Sequence, residues 1–435
     1  MSLEELAKKI AENIRGRVPE YIVQLEAENS VMLKLANGKP SVTQSWNEIS
    51  VNLYLAKDGK MTVSSFRTSN PDEAIEKSIQ ILDKLSPSPL YAPLPESNGA
   101  PYQLVDKNVK EMAISGDISQ MISDLSLTDL TNSAGAITLS YKSQLLAGSN
   151  GAWLKGESTS FQGYLRIFRG DEASGQWSWT STQYEPGKAR KAIDKAVELA
   201  ETCHSLPQVK LETGNYKVLL SPMIVGNLIQ YVTMAASGAS MIFGMSFFRP
   251  DDLKQPVASE HLSIIDDPHH KELPGYRLFD DEGVRTFRKH VFNKGILENI
   301  LHNSKTARIL RGETTGNAGI IQPTPFNIIV EPGDLKEEEL LEALGDGIYA
   351  TNNWYTRFQN YVEGTFSTVT RDALLLVRGG KPIGCSKRAR ITGSLKDLIK
   401  NIIGLGKELW PIQWWEVNIP SLLPHMIVET RITAE

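Results

Sequence analysis

Cysteine is nearly absent from this 435-residue chain. The two present, Cys203 and Cys385, are too few for a disulfide framework. The opening residues Met1-Ser2-Leu3-Glu4-Glu5 also lack the basic stretch and apolar run of a targeting segment, so a reducing cytoplasm is the expected compartment. No block of five like charges occurs anywhere. With 46 Lys and Arg against 51 Asp and Glu, the net charge of -5 gives nothing to attract nucleic acid. Charge is missing altogether from residues 218–248, a stretch long enough to cross a bilayer. Pro222, Gly226, Asn227, Gln230, Ser237, Gly238 and Ser240 interrupt its apolarity and no aromatic belt flanks it. A buried helix plus loop is therefore expected, with no membrane as partner. Among the histidines, no pair shows the His-Glu-x-x-His spacing that puts two imidazoles and a carboxylate base on one helix face around zinc.

What is present suits ordinary globular cores: 41% hydrophobic and 22% charged residues, in a chain too long for one small module. A helical stripe, Leu3, Leu6, Ala7 and Ile10, opens it. Short alternating runs follow at 21–26, 31–35, 48–55 and 61–66, with turns at Asn37-Gly38 and Asp58-Gly59, predicting an antiparallel sheet. Ser69-Asn70-Pro71-Asp72-Glu73 then starts a helix. The segment 86–101 holds five prolines and Gly99 and reads as a linker. Beyond it come a helix at 118–125, strands at 136–141 and 152–168 around Gly148-Ser149-Asn150-Gly151, and a helix at 187–203. Sheet followed by helix thus occurs twice, without internal sequence identity. After residue 210 strands and loops dominate, with helical stretches at 335–343 and 395–405. The predicted class is α+β: an N-terminal α+β region, residues 1–210 (sub-segments 1–86 and 102–210), and a β-rich domain, residues 211–435.

Few residues suggest chemistry on their own. Asp266-Asp267-Pro268-His269-His270 through Asp280-Asp281-Glu282-Gly283 offers metal ligands, but Asp-Pro and Glu-Gly pairs are ordinary turn chemistry, and hydrogen bonds that pin loops are the preferred reading over a metal site. Cys203-His204 lacks an orienting acid and reads as a packed thiol. Gly244-Met245-Ser246-Phe247-Phe248 misses the last glycine of a nucleophile elbow. Gly312 to Gly319 lacks the Lys-Ser/Thr of a phosphate loop and is read as a tight loop. Trp410, Trp414 and Trp415, with Trp354 and Tyr355, line a groove or build core.

Phrases spread over more than two hundred residues carry a resemblance: Ser149-Asn150-Gly151, Gly214-Asn215-Tyr216 to Ser221-Pro222, Ile264-Ile265-Asp266-Asp267-Pro268, Phe279-Asp280-Asp281-Glu282-Gly283, Lys294-Gly295-Ile296-Leu297, Thr314-Thr315-Gly316-Asn317, Glu331-Pro332-Gly333-Asp334 and Gly364-Thr365-Phe366-Ser367. The chain resembles the TldD/PmbA family, also described as modulators of DNA gyrase. In the TldD branch the helix after the Ser-Pro phrase carries His-Glu-x-x-x-His, and a cysteine near the C-terminus completes a zinc site. The corresponding stretch here is Gln230-Tyr231-Val232-Thr233-Met234-Ala235, and no cysteine follows Cys385.

The resemblance is thus to the PmbA, or TldE, branch. It implies a non-catalytic subunit with no cofactor of its own, zinc being carried only by a TldD-type partner, and a chamber in which an extended peptide is cleaved. The partners implied are that zinc subunit or a second copy of the chain. By position, Gln230, Tyr231, the loop Thr314, Thr315, Gly316 and Asn317, and Gly364, Phe366 and Ser367 are the expected borders of a peptide groove, with Tyr231 alternatively a core aromatic. Two other readings stand beside it: an autonomous metallohydrolase using Asp267, His269 or Asp280, and an adaptor of the gyrase-modulator type. The family's Arg-rich stretch after the Thr-Gly-Asn loop is Ala318-Gly319-Ile320-Ile321-Gln322 here. With that charge balance, an effect on gyrase would have to pass through another protein.

Overall fold

The computed structural model describes residues 2–67 and 71–434. Ser69 and Asn70 of the second helix-start signal therefore lie outside the described residues. Ser2 caps the first helix, α1 (Leu3–Ile14), in a reciprocal box with Glu5, and its stripe buries Leu6, Ala7, Ile10, Ala11 and Ile14. Strands β1 (Glu20–Ala36), β2 (Lys39–Lys57) and β3 (Lys60–Arg67) follow. Both turns between them have two consecutive residues at positive φ, Asn37-Gly38 and Asp58-Gly59, as tight two-residue hairpins require. The two short runs expected at 21–26 and 31–35 are one strand, because the polar Asn29 and Ser30 between them stay paired with Asn47 and Trp46.

After α2 (Pro71–Lys84) come β4 (Tyr102–Leu104), α3 (Lys107–Ser115), α4 (Ser119–Asp124), β5 (Ser133–Gly148), β6 (Trp153–Arg169), β7 (Ala173–Ser181) and α5 (Pro186–Ser205). The two sheet-then-helix units share one seven-stranded sheet, in the order β3-β2-β1-β5-β6-β4 with β7 on β6. β1 pairs with β5 from Ile22 to Ala36. The Pro-rich segment 86–101 is thus no spacer between separate sheets. It runs along the molecule and donates from Ser97 N to the Asn150 carbonyl (3.1 Å) and from Gly99 N to the Gly283 carbonyl (3.0 Å).

The C-terminal part contains β8 (Gly214–Leu220), α6 (Pro222–Ala235), α7 (Gly238–Ile242), β9 (Ile264–Asp266), β10 (Lys289–Asn293), β11 (Ile296–Leu297), α8 (Ser304–Leu310), β12 (Ile328–Val330), α9 (Leu340–Leu344), β13 (Gly347–Asn360), β14 (Thr365–Arg378), β15 (Lys381–Ser386), β16 (Ala389–Ser394), α10 (Leu395–Leu398), β17 (Ile402–Leu405), β18 (Trp410–Trp414), β19 (Val417–Leu423) and β20 (Met426–Ala434). One sheet runs β11-β10-β9-β12-β19-β18; the other runs β13-β8-β20-β16-β14-β15 with β17 on β20. The expected long helix at 395–405 is one turn followed by β17, since Asn401 and Gly404 break the helical pattern and Ile402 pairs with Val428. The stretch 335–343 similarly gives a short 3-10 turn and then α9. One continuous apolar core joins β5, β6 and α5 to α6, β8 and β20.

The two cysteines are bonded to each other, which corrects the reading of Cys203 as a free packed thiol. Cys203 at the end of α5 and Cys385 in β15 have Cα atoms 5.3 Å apart, close enough to bridge, and tie the N-terminal region to the C-terminal sheet. Among the described residues, no helix is long and apolar enough to cross a membrane.

Candidate functional site

Pro222 at the first helical position and the absence of charge let α6 run buried along nearly its whole length between β13 and β19. Its close approach to β19 depends on Gly226, where a Cβ would meet Leu423 at 2.8 Å. A helix so enclosed must satisfy its polar side chains internally. Asn227 donates to the Glu416 carbonyl (2.8 Å) and accepts from Asn353 Nδ2 (2.8 Å) and Thr356 Oγ1 (2.6 Å). Gln230 donates to the same carbonyl (2.6 Å) and accepts from Asn418 N (3.1 Å). The Glu416 carboxylate in turn accepts from Tyr355 N (3.0 Å). Both α6 amides thus clamp the turn between β18 and β19.

The zinc implied by the family can be tested on these donors. Gln230 has both ends of its amide occupied, and Tyr231 has its ring edge-to-face with Phe358 at 5.0 Å. Burial and the negative charge of Glu416 push the Tyr231 hydroxyl above its ordinary pKa, opposing the phenolate that a metal would need. The residues here do not fit zinc.

Tyr231 instead lines a cavity of about 260 Å³ with Met234, Phe243, Phe247, Phe358 and Tyr361. A second cavity of about 270 Å³ lies against Met61 and Val63 of β3, Ile321 and α8. The two share Ala239, Phe243 and Gln322, so they adjoin across the junction of the N-terminal sheet and the C-terminal domain. Phe243, Met245 and Ile321 are more than half exposed there.

The other expected border residues divide. Gly364, at φ +68, sits against Phe247, where a Cβ would approach the ring to 2.9 Å. Phe366 is buried, its ring 6.5 Å from Phe358. Ser367 is next in the strand and so projects to the opposite face, accepting from Arg390 Nη1 at 3.3 Å. Asn317 is fully buried and donates to Asp266 Oδ2 (2.6 Å) and the Thr324 carbonyl (3.1 Å). Thr315 bonds His302 and Asn317, Thr314 Oγ1 accepts from Gly316 N at 3.4 Å, and Gly316 takes φ +64 to pass Arg285. This loop therefore underpins segment 318–323, and it is Ile320, Ile321 and Gln322 that reach a cavity.

The carboxylate cluster is spent on loop pinning. Asp266 accepts from Phe326 N (2.8 Å), Lys289 Nζ (3.1 Å) and Asn317. Asp280 accepts from Glu282, Val284 and Ala318 N–H groups at 2.9–3.0 Å, while burial and the Glu282 charge push its pKa up to about 7. His269 faces Thr286. Among the described residues, no three His, Cys, Asp or Glu side chains are grouped to hold a metal. Trp410 and Trp414 are core, whereas Trp354, Tyr355 and Trp415 are exposed. Sequence reasoning did not find Phe243, Met245, Phe358 or Tyr361. The phrase around Met245 was visible, but nothing in it marks its apolar side chains as exposed.

Comparison with known proteins fits this architecture. The family model for the PmbA/TldA metallopeptidase C-terminal domain matches residues 213–433, and that for PmbA/TldA metallopeptidase domain 1 matches residues 22–82. A PmbA metalloprotease homologue of Buchnera aphidicola is 25% identical over 92% of this chain and 90% of its own length. A metalloprotease of Methanocaldococcus jannaschii is 29% identical over 45% of this chain, which spans only 44% of that relative's length. The solved structure of TldE from Thermococcus kodakarensis superposes with a TM-score of 0.83 over 99% of both chains at 16% identity. A Thermotoga maritima protein described as a modulator of a DNA gyrase gives 0.81 over 99% of this chain and 100% of its own, at 20% identity. At those identities the two structures speak for the fold alone. The domain match over more than half of the sequence, in register with the sheets that enclose α6, makes this chain a member of the PmbA/TldD metallopeptidase family.

Proposed function

We propose that this chain is a non-catalytic PmbA/TldE-like subunit that holds an extended peptide for a TldD-type zinc subunit, or for an assembly with a second copy of itself. The observation that carries this reading is Gln230. At the position where the resemblance places a metal-binding imidazole stands an amide with both ends bonded to the β18–β19 hairpin. The half-exposed apolar cavities beside Tyr231 support a holding role, because alternate side chains of an extended peptide can enter such pockets while its backbone pairs with a strand edge.

Two measurements on the purified chain test it. Metal analysis should find no stoichiometric zinc, and peptide hydrolysis by the chain alone should be undetectable. One tightly held zinc, lost together with activity in Asp267→Asn or His269→Ala, would overturn the proposal in favour of an autonomous hydrolase. Light scattering and co-purification should give a dimer or a complex with a zinc-bearing homologue from the same cell. A strict monomer that captures none would leave the gyrase-modulator type of adaptor.

A further inference from the structure

A third cavity, of about 440 Å³, opens where the N-terminal sheet meets β14 and has no place in that reading. Its floor is an unusual charge arrangement. Asp372, with a fully buried side chain and φ +62, faces two guanidiniums, Arg166 Nε at 2.5 Å and Arg371 Nε at 3.3 Å. The remaining acceptor positions of Asp372 are taken by Ser174 Oγ (2.8 Å) and Asn352 Nδ2 (2.7 Å). One carboxylate therefore opposes two fixed cations, leaving one positive charge in excess at the bottom of a concave site. The rim is balanced: Glu172 pairs with Lys387, and Asp171 and Arg388 bring one charge of each sign. Arg371 is mostly buried, and burial pushes its pKa down, with the Arg166 charge acting the same way.

The guanidiniums also keep donors in hand. Arg166 spends Nη2 on Ser174 and Arg371 spends Nη2 on Gln176, while neither Nη1 has a hydrogen-bond partner among the described residues. Planar guanidinium donors beside an uncompensated charge suit an oxygen anion held by two parallel bonds. The surplus is a single charge and the balanced rim adds none, which favours a monoanion over a phosphate dianion. One side of the wall is apolar: Arg166 lies over the Phe168 ring at 4.8 Å, Arg371 over Trp354 at 5.6 Å, and Val369 completes that side.

We infer that this cavity binds a carboxylate carried on an apolar group, either a small free acid or the C-terminal residue of a peptide. The peptide source rests on the peptide-holding reading above; the carboxylate site does not.

Calorimetric titration of the full chain separates these sources, using N-acetyl-leucine, its amide, an N-acetylated tetrapeptide ending in leucine as acid and as amide, and inorganic phosphate. Each acid should bind roughly tenfold or more tighter than its amide, and Arg371→Gln should remove most of that difference. Because Arg371→Gln also loosens Asp372, Trp354→Ala serves as a second variant. It leaves every hydrogen bond of the floor in place and should weaken N-acetyl-leucine but not acetate. Equal binding of acid and amide, no binding of either acid, or tighter binding of phosphate would each overturn the site. Binding of N-acetyl-leucine without the tetrapeptide acid would uphold the site and remove the peptide as its source.

Discussion

Gln230 and Asn227 share one acceptor, the Glu416 carbonyl, so their deletion costs can be argued one bond at a time. Gln230→Ala leaves Asn418 N without its partner while Asn227 still serves the carbonyl, and a loss of about 1–3 kcal/mol in urea unfolding is expected. Peptide holding should survive, since neither atom of that amide reaches the Tyr231 cavity. A pH effect belongs at this scale as well. Burial holds the His425 imidazole down to about 3 and that of His302 down to about 4, both below the ordinary histidine value. These rings stay neutral in the folded chain and take up protons on unfolding, so their contribution to stability is complete above about pH 6.5 and is lost as the pH drops through 6.5 toward 4, partly offset by Asp280, whose raised pKa favours the folded chain as the pH falls below about 7. Thermal unfolding between pH 7.5 and 4.5 should show that slope, and His425→Gln or His302→Gln should flatten it. At this scale the sequence was only partly legible. Tyr231 was singled out by alignment with a motif and does line a cavity, whereas Asn317, picked out for its hydrogen-bonding side chain, turned out to use it on a buried aspartate. A side chain's type announces which bonds it can make; which bonds it makes is decided by partners 50 or more residues away.

Elements with a local cause were the readable ones. The Asn37-Gly38 and Asp58-Gly59 turns, the capped α1 and the Pro-led α5 and α6 follow from short-range chemistry that neighbouring residues alone determine. β7 escaped because Ala173–Ser181 is polar in composition yet buried at every residue, sandwiched between β6 and α5, so no alternation marks it. The 395–405 segment misled for a similar reason: its leucines and isoleucines suit a helix face, but pairing with β20 takes the second half. Gly364 offers a test at this scale. It ends the turn between β13 and β14 at positive φ and touches Phe247, so Gly364→Ala meets both backbone strain and a clash. A loss of about 1–3 kcal/mol is expected in chemical denaturation, with the Phe247 wall displaced. Unchanged stability would show that the turn can adopt another conformation.

For the molecule as a whole, the class was legible and the way its parts join was not. Proline spacing marked 86–101 as an interruption, but only the pairing of β1 with β5 shows that the sheet continues across it. Two cysteines separated by 182 residues carry no pairing signal in a sequence, and their proximity depends on α5 docking against β15. In the chain-entropy account a loop of that length is worth about 5 kcal/mol, so Cys203→Ser or full reduction should lower stability by up to that amount in denaturant titration. The same bond makes residues 203–385 a covalent ring, with α6 and most of both C-terminal sheets inside it and both ends of the chain outside. A cut at one exposed point of the ring, such as the turn at 251–256, opens the ring without releasing any piece. The nicked protein should therefore migrate as one species in a denaturing gel without reductant and as two fragments with it. Separation without reductant would mean that the two thiols remain apart in the compartment that made the protein.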